Sequence, residues 1–334
     1  MATRTVKLTF RGPVHLGQGR LSDSGYSCDA ATLFSALFIE ALRMGSSDEL
    51  LEAARSGELG LSDAFPYIEN KPYLPKPMLA AGTFDAQNSA RESLDERLDS
   101  RQRKANKRLA YIPAAHYAGY LSGTFDAVTA LEGFDLGKAS LQTRVNLTRE
   151  DSEDSLPYFV GGYTFSPGSG LYFISTGDYD IAPILEQLSY SGLGGKRTSG
   201  YGRFEYSIEN SSPLGLVRNR ADKAARGQQG VRDARLAAEK KTEQKTRILL
   251  SSALPRCDEL SDDLLDGARY RLVRRGGFIQ STAHSGSPQK KRDMYVFAAG
   301  STFERSFEGD IYDVNATPGS HPVWRYARAM WMEV

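Results

Sequence analysis

The sequence predicts an α+β chain made of two related units. Val6, Leu8 and Phe10 alternate with Thr5, Lys7 and Thr9, the period of a half-buried strand. Leu33, Leu37 and Ala41, with Phe34 and Phe38 beside them, then repeat at helical spacing. The second half reopens in the same way. Ile248, Leu249, Leu250 and Leu254 make a buried strand over Arg247–Leu254, an acidic helix follows over Leu260–Gly267, and each half carries a glycine-rich turn. Strand–helix–strand twice over is a duplicated α+β unit.

The elements follow in order. Gly12-Pro13 ends the first strand, and a loop with glycines at 17, 19 and 25 comes next. Asp29 is placed to cap a helix over Ala30–Met44. Gly57–Pro77, rich in Pro and Gly, reads as irregular connection. Arg91–Leu109 is a charged helix with seven basic and four acidic residues, anchored only by Leu94, Leu98 and Leu109. A short strand or helix start at Leu109–Ile112 leads into the aromatic run Tyr111, Tyr117 and Tyr120. Leu141–Leu147 and Phe159–Phe165 are strands on either side of the acidic tip at 150–155, a long hairpin with a solvated end. Leu171–Ser175 is a further strand, and Ile181–Leu188 a short helix starting near Asp180 or Pro183. The glycine-rich stretch Ser191–Phe204 runs into a strand over Phe204–Ile208. Arg218–Arg247 has ten basic and four acidic residues and almost no large apolar ones, so it reads as a linker or solvated helix. Arg269–Arg275 alternates again, Tyr295–Ala299 is a strand ended by Gly300, and Trp324–Val334 is a strand carrying both tryptophans. The expected division is 1–212 and 247–334, with a charged linker or insertion at 213–246.

Composition narrows the function. The chain has 334 residues, a length that suggests about two domains. Hydrophobic residues at 40% allow each half a core of its own. Lys plus Arg is 42 and Asp plus Glu 41, a net charge of +1, which excludes a uniformly basic chromatin-type protein and an acidic disordered chain. Any polyanion must therefore meet local basic stripes. Cys28 and Cys257 lie far apart without Cys-x-x-Cys spacing, which excludes a cysteine zinc site and a disulfide framework and fits a reducing compartment. Met1–Phe10 lacks the apolar core of a signal peptide. The longest apolar stretch, Leu33–Leu42, is broken by Ser35 and Glu40 and is too short to span a bilayer. A cytoplasmic protein without membrane contact is expected, and the sequons at Asn146 and Asn210 carry no weight.

The stretch Gly192–Gly202 is the strongest local signal. Glycines at 192, 194, 195, 200 and 202 surround Lys196 and Arg197. Glycine lets backbone approach a ligand and present consecutive amides to an anion, and the basic pair adds charge. A plain tight turn between helix and strand explains the glycines equally well. It is not a nucleotide-phosphate loop: Arg197 follows Lys196 where Ser or Thr is needed, Tyr190 stands where the first glycine belongs, and Arg197 occupies the third glycine of a dinucleotide fingerprint. A second basic set lies in the other half, with eight basic and two acidic residues from Arg269 to Arg305. Its cores are Arg274-Arg-Gly-Gly-Phe-Ile279 and Lys290-Lys-Arg292. Solvated strand faces are the bland reading. Phe278, Tyr295 and Phe297 among them tip it towards single-stranded RNA, whose bases stack on aromatic and guanidinium planes. His15, His116, His284 and His321 share no metal spacing. His15 in its loop suits a structural or RNA-contacting role better than general-base work. Asp23, Asp63 and Asp85 read as solvated or capping residues, and no nucleophile elbow or metal carboxylate cluster is present. No cofactor and no metal is expected.

Several stretches, in order, resemble one family: Phe10-Arg-Gly-Pro-Val-His-Leu-Gly17, Thr32-Leu-Phe-Ser-Ala-Leu37, Leu61-Ser-Asp-Ala-Phe-Pro66, Leu74-Pro-Lys-Pro77, Lys107-Arg-Leu-Ala-Tyr-Ile-Pro113, the Gly192–Gly202 loop, Gly300-Ser-Thr-Phe303 and His321-Pro-Val-Trp-Arg-Tyr326. The series is similar to the fourth subunit of the type III-A CRISPR Csm complex, of the RAMP superfamily, from Val6 to Val334, with Arg218–Arg247 the least matched part. The resemblance implies two ferredoxin-like (RRM-like) RAMP domains, a glycine-rich loop and a thumb β-hairpin over Leu141–Gly161. It implies a non-catalytic subunit for antiviral defence that holds the repeat-derived 5′ tag of the CRISPR RNA (crRNA). The partners implied are the large polymerase-like subunit, the backbone RAMP subunit and, indirectly, target RNA. The residues expected at RNA are His15 and Gly17; Arg144, Asn146 and Arg149 on the thumb; Gly192, Gly194, Gly195, Lys196, Arg197, Ser199, Gly200 and Tyr201 in the loop; and Arg274, Arg275, Gly276, Lys290, Lys291 and Arg292. Arg149 matches the arginine of the usual Ile-Asp-Arg thumb pattern, with Thr148 in place of Asp. Cys28-Asp-Ala-Ala-Thr32 departs from the usual Ser-Asp-Thr helix start. A metal-independent RAMP endoribonuclease that processes CRISPR repeat RNA, with His15 as general acid or base, is the alternative.

Overall fold

The computed structural model describes residues 2–17, 19–79, 95–145, 157–217, 246–281, 289–316 and 319–334. β1 (Thr3–Phe10) is the alternating first strand, with Val6 and Leu8 buried. β2 (Leu16–Gly17) and β3 (Ser24–Gly25) form a small hairpin in the loop that follows. α1 (Ala30–Met44) matches its expected limits residue for residue. The Asp29 carboxylate accepts the Thr32 amide, and Gly45 closes the helix in the left-handed conformation. α2 (Ser47–Ser56) leads to β4 (Gly60–Leu61), β5 (Phe65–Ile68) and β6 (Lys71–Pro75). The segment read as irregular connection therefore supplies three strands. Pro66, Pro72 and Pro75 disguised β5 and β6, because proline forfeits a ladder donor and argues against a central strand.

α3 (Asp95–Arg108), β7 (Tyr111–Pro113), α4 (Tyr117–Leu121) and α5 (Ala127–Glu132) come next. The long hairpin is β8 (Gly137–Val145) with β9 (Pro157–Phe165), paired antiparallel along their whole length; its acidic tip lies outside the described residues. β10 (Ser169–Thr176), α6 (Ala182–Ser191) and β11 (Phe204–Glu209) complete the first half.

The large sheet has the order β11-β1-β10-β5-β6-β7, with β4 also on β10. Four consecutive strands, β11-β1-β10-β5, pair antiparallel throughout. With α1 after β1 and α6 after β10, this is a βαββαβ unit in the fourth-first-third-second order of a ferredoxin-like domain. β10 sits at its centre and is buried on both faces. Leu171 and Phe173 pack under α1 and α6, whereas Tyr172 and Ile174 pack on the opposite layer.

That opposite layer joins the two halves. Ile248, Leu250, Met330 and Met332 pack there with Tyr117, Ile112 and Tyr172. Ile311 and Tyr326 enter the core beneath α1, and the Tyr326 hydroxyl oxygen accepts the Leu61 amide across the fold at 3.0 Å.

Among the described residues, the second half is antiparallel sheet around one short helix: β12 (Arg247–Leu249), α7 (Asp262–Leu265), β13 (Leu272–Arg275), β14 (Met294–Phe297), β15 (Thr302–Phe303), β16 (Gly309–Asp313), β17 (Trp324–Arg328) and β18 (Trp331–Glu333). β12 lies between β15 and β18, while β13–β14 and β16–β17 are hairpins. Two readings need correction. The Arg247–Leu254 strand ends at Leu249, because Leu250 turns to donate to Met330 O and Ala253 to Phe297 O. The tail is two strands in different sheets, so Trp324 lies against Arg55 and Trp331 donates to Phe307 O. The charged segment 218–245 lies outside the described residues.

Candidate nucleic-acid interface

The glycine loop begins where α6 ends. Gly192, Gly194, Gly200 and Gly202 have positive φ, and so does Lys196 at 57°. Two positions show why side chains are excluded. A Cβ on Gly195 would stand 2.7 Å from His15 Cδ2, and one on Gly202 would overlap the Leu193 carbonyl. Many of the loop's amides are engaged in folding it. Leu193 donates to Gly202 O, Gly195 to His15 O, Gly202 to Pro13 O, and Ser199 and Gly200 close a 3-10 turn. The loop is thus a rigid platform on Pro13–His15, and the continuous amide cradle read from its glycines is not what the backbone presents.

His15 is part of that platform. Its Nδ1 lies 2.8 Å from the Gly161 carbonyl, which only accepts, so Nδ1 carries a proton and donates it. The ring is buried between β9 and Gly195, and a Cβ added at Gly17 would stand 3.5 Å from Nε2.

The thumb hairpin is tied to the loop towards its tip end, where Arg144 pairs with Tyr158. Arg144 on β8 donates to Ser199 Oγ at 2.9 Å and lies over the Tyr201 ring. The Tyr201 hydroxyl donates to Gln142 Oε1 at 2.8 Å, and Lys196 Nζ stands 5.3 Å over Tyr158 of β9. The other hairpin face leaves Leu141, Val145 and Phe159 exposed. Asn146 and Arg149 lie outside the described residues.

The two basic residues of the loop behave differently. Lys196 lies towards the thumb. Arg197 turns inward, its side chain 20% exposed, and pairs at 3.5 Å with Glu40 of α1, which is 4% exposed. Arg43 and the Ser191 hydroxyl also bind that carboxylate. A lone buried carboxylate is costly, so Arg197 is held as a counter-ion.

The same Arg197 brings the two basic sets together, because it donates to Gln280 Oε1 of the second half at 3.3 Å. Just before Gln280, Phe278 is 58% exposed with Lys290 Nζ over its ring at 5.8 Å. On β13–β14, Arg274 and Tyr295 are cross-strand partners, and Tyr295 is 59% exposed. Arg292 is exposed and donates to Asp313 O. Arg275 and Lys291 face inward instead. Arg275 pairs with Asp29 at 2.7 Å, and burial beside Arg325 pulls the Lys291 ammonium down to about 8. The Gly276 carbonyl accepts from Arg325. Outward and inward sets therefore alternate along the strand. Sequence reading missed Gln142, Tyr158 and Gln280. Strand alternation marks the first two as sharing faces with Arg144, whereas nothing local marks Gln280.

Among the described residues, no group of three or more His, Cys, Asp or Glu is placed to hold a metal, and no helix is long and apolar enough to cross a membrane. Asp63, read as solvated or capping, is buried and does cap: it accepts the Ala30 amide at 2.9 Å.

Comparison with known proteins places this geometry. The profile of the CRISPR Csm4 C-terminal domain matches residues 242–334. A Mycobacterium tuberculosis (strain H37Rv) protein described as CRISPR system Cms protein Csm4 is 34% identical over 321 residues, covering 95% of this chain and 93% of its own. The chain belongs to the Csm4 family. The Streptococcus thermophilus Csm4 is 32% identical over 331 residues, covering 98% and 97%. A Csm1–Csm4 cassette in complex with pppApA matches with a TM-score of 0.59 at 19% identity over 99% of this chain and 97% of that one. A Csm3–Csm4 subcomplex of the type III-A interference complex gives 0.58 at 15%, over 99% of each. These two speak for the fold, an α+β arrangement of antiparallel sheets in keeping with Csm4 RAMP domains.

Proposed function

We propose that this chain is a non-catalytic, crRNA-binding subunit of a type III-A CRISPR interference complex, which caps the repeat-derived 5′ tag and docks the large polymerase-like subunit and the backbone RAMP subunit. The observation that carries the RNA part is the Arg197–Gln280 contact. It makes one track of cations and aromatic rings out of groups far apart in sequence: Arg144, Tyr158 and Lys196, then Phe278, Lys290, Arg274 and Tyr295. Cations along such a track meet phosphates, and exposed rings stack on unpaired bases. The partners are supported by relatives whose solved assemblies are named for Csm1 with Csm4 and for Csm3 with Csm4. The buried ring of His15, bonded to Gly161 O and packed on Gly195, supports a structural role over the endoribonuclease alternative. We place the boundary between the RAMP domains within 213–246.

The test is a gel shift with co-purification. The chain is mixed with the large subunit and RNA carrying the 5′ tag, with a scrambled tag as control. A ternary complex that prefers the correct tag is expected. Shortened RNA in EDTA, lost in His15→Ala, would replace this reading with the endoribonuclease.

A further inference from the structure

The Leu61–Pro66 motif runs from β4 to β5 within the large sheet, and its Asp63 joins the two halves of the chain. It stands between β4 and β5. One carboxylate oxygen accepts the Ala30 amide in the first turn of α1 at 2.9 Å and the Ser252 amide of the second half at 2.7 Å. The other accepts the Ser252 hydroxyl at 2.8 Å. The backbone follows the same route, since the Asp63 amide donates to Leu250 O and the Ala64 amide to Cys28 O.

We propose that Asp63 is a positioning residue for the RNA interface: it locks Ser252 of the second half onto the first turn of α1 and thereby sets the β13–β14 hairpin beside the glycine loop. This inference rests on the RNA reading above. The contacts form a closed circuit. Ser252 is followed by Ala253, whose backbone exchanges both hydrogen bonds with Phe297 of β14. β14 pairs with β13, and Arg275 of β13 returns to Asp29, the residue that caps α1 next to Ala30. A closed circuit resists rotation of one half against the other in a way that a single contact cannot. The segment it steers, Phe278–Gln280, is the one that meets Arg197. The charge that faces the carboxylate is Asp29, which in turn faces Arg275, Lys291 and Arg325.

The chemistry separates two substitutions. Asp63→Asn retains an oxygen for both amides and turns a donor to the Ser252 hydroxyl, so every contact has a counterpart. Asp63→Ala leaves both amides without their acceptor. The experiment uses the full chain without RNA, in a Cys257→Ser background, with spin labels at Thr198→Cys and Lys290→Cys, both on exposed residues. Affinity for single-stranded RNA carrying the 5′ tag is measured on the unlabelled variants. We expect one narrow label–label distance in the parent and in Asp63→Asn, and a broadened one in Asp63→Ala. RNA affinity is expected to fall about tenfold in Asp63→Ala and to stay within about twofold in Asp63→Asn, the scale of a lost buried hydrogen-bond set. Ile184→Ala, a cavity in α6 where it packs on α1 within the first half, controls for general destabilisation and keeps both readouts. Ser252→Ala gives a smaller broadening and serves if Asp63→Ala does not fold. An unchanged distance in Asp63→Ala, or in Ser252→Ala in its stead, overturns the proposal. Broadening with unchanged affinity overturns its link to RNA. If the parent chain binds no RNA, the RNA reading fails and this role with it, whatever the distances show.

Discussion

Lys196 and Arg197 are neighbours in sequence with opposite duties, and replacing them one at a time separates binding from folding. Lys196 lies over Tyr158 on the thumb side, and among the described residues a ring contact is what holds its ammonium. Lys196→Ala should therefore remove about one phosphate contact, lowering the slope of log K against log salt by about 0.7 for a single strand. Between 50 and 200 mM salt that is a difference of about 2.6-fold in affinity loss. Arg197 is instead the inward counter-ion of Glu40. Its removal leaves that carboxylate with Arg43 and the Ser191 hydroxyl, so the cost is below the ~3–5 kcal/mol of stranding a buried charge and nearer ~1–2 kcal/mol. Arg197→Ala should lower Tm by about 2–5 °C and change the salt slope by less than about 0.3. RNA titrations at four or more salt concentrations, with thermal melts of the same samples, measure both. Equal slope changes in the two variants would refute the division of roles.

Other expectations follow from the same geometry. Gly202→Ala meets the Leu193 carbonyl and holds φ at 77°, whereas Gly200→Ala has φ of 84° in open space; melts should show Gly202→Ala well beyond the ~1 kcal/mol of backbone strain that Gly200→Ala suffers. Phe278→Ala and Tyr295→Ala should leave Tm unchanged, because both rings are exposed, yet weaken binding of tag RNA by roughly 1–3 kcal/mol each if the rings stack on bases; a filter-binding series reads this, and unchanged affinity removes them from the track. Burial and the Asp29 charge push the Asp63 carboxyl up to about 6. A raised acid holds its proton more tightly when folded, so its contribution is full below about pH 4 and is lost as pH rises through 6. Denaturant titrations from pH 4 to 7 should therefore show a falling component in the parent that Asp63→Asn lacks. A common slope would contradict it.

Much of the first half was legible because its signals are local. The β1 alternation, the Asp29 cap and the Leu33–Ala41 spacing each act within a few residues, and the helix they specify lies where expected. β5 and β6 were hidden because their prolines speak against strands, β4 because it is two residues long, and only pairing beside β10 and β7 makes them strands. The tail broke in two because Met330 meets Ser251, a contact no pattern in the tail contains.

The site divides in the same way. Sequence alone determined which residues have charge, rings and glycine freedom, and the ordered motifs determined the family. The tertiary structure decided which of those cations face outward. Arg197, Arg275 and Lys291 look like their neighbours in sequence, but Glu40, Asp29 and burial turn them inward, whereas Lys196, Arg274 and Lys290 stay at the surface. The reason is desolvation: an ion leaves water only where a counter-charge or a full set of hydrogen bonds waits for it. For these three, the counter-charges and the burial come from elements distant along the chain, and only folding brings them within reach.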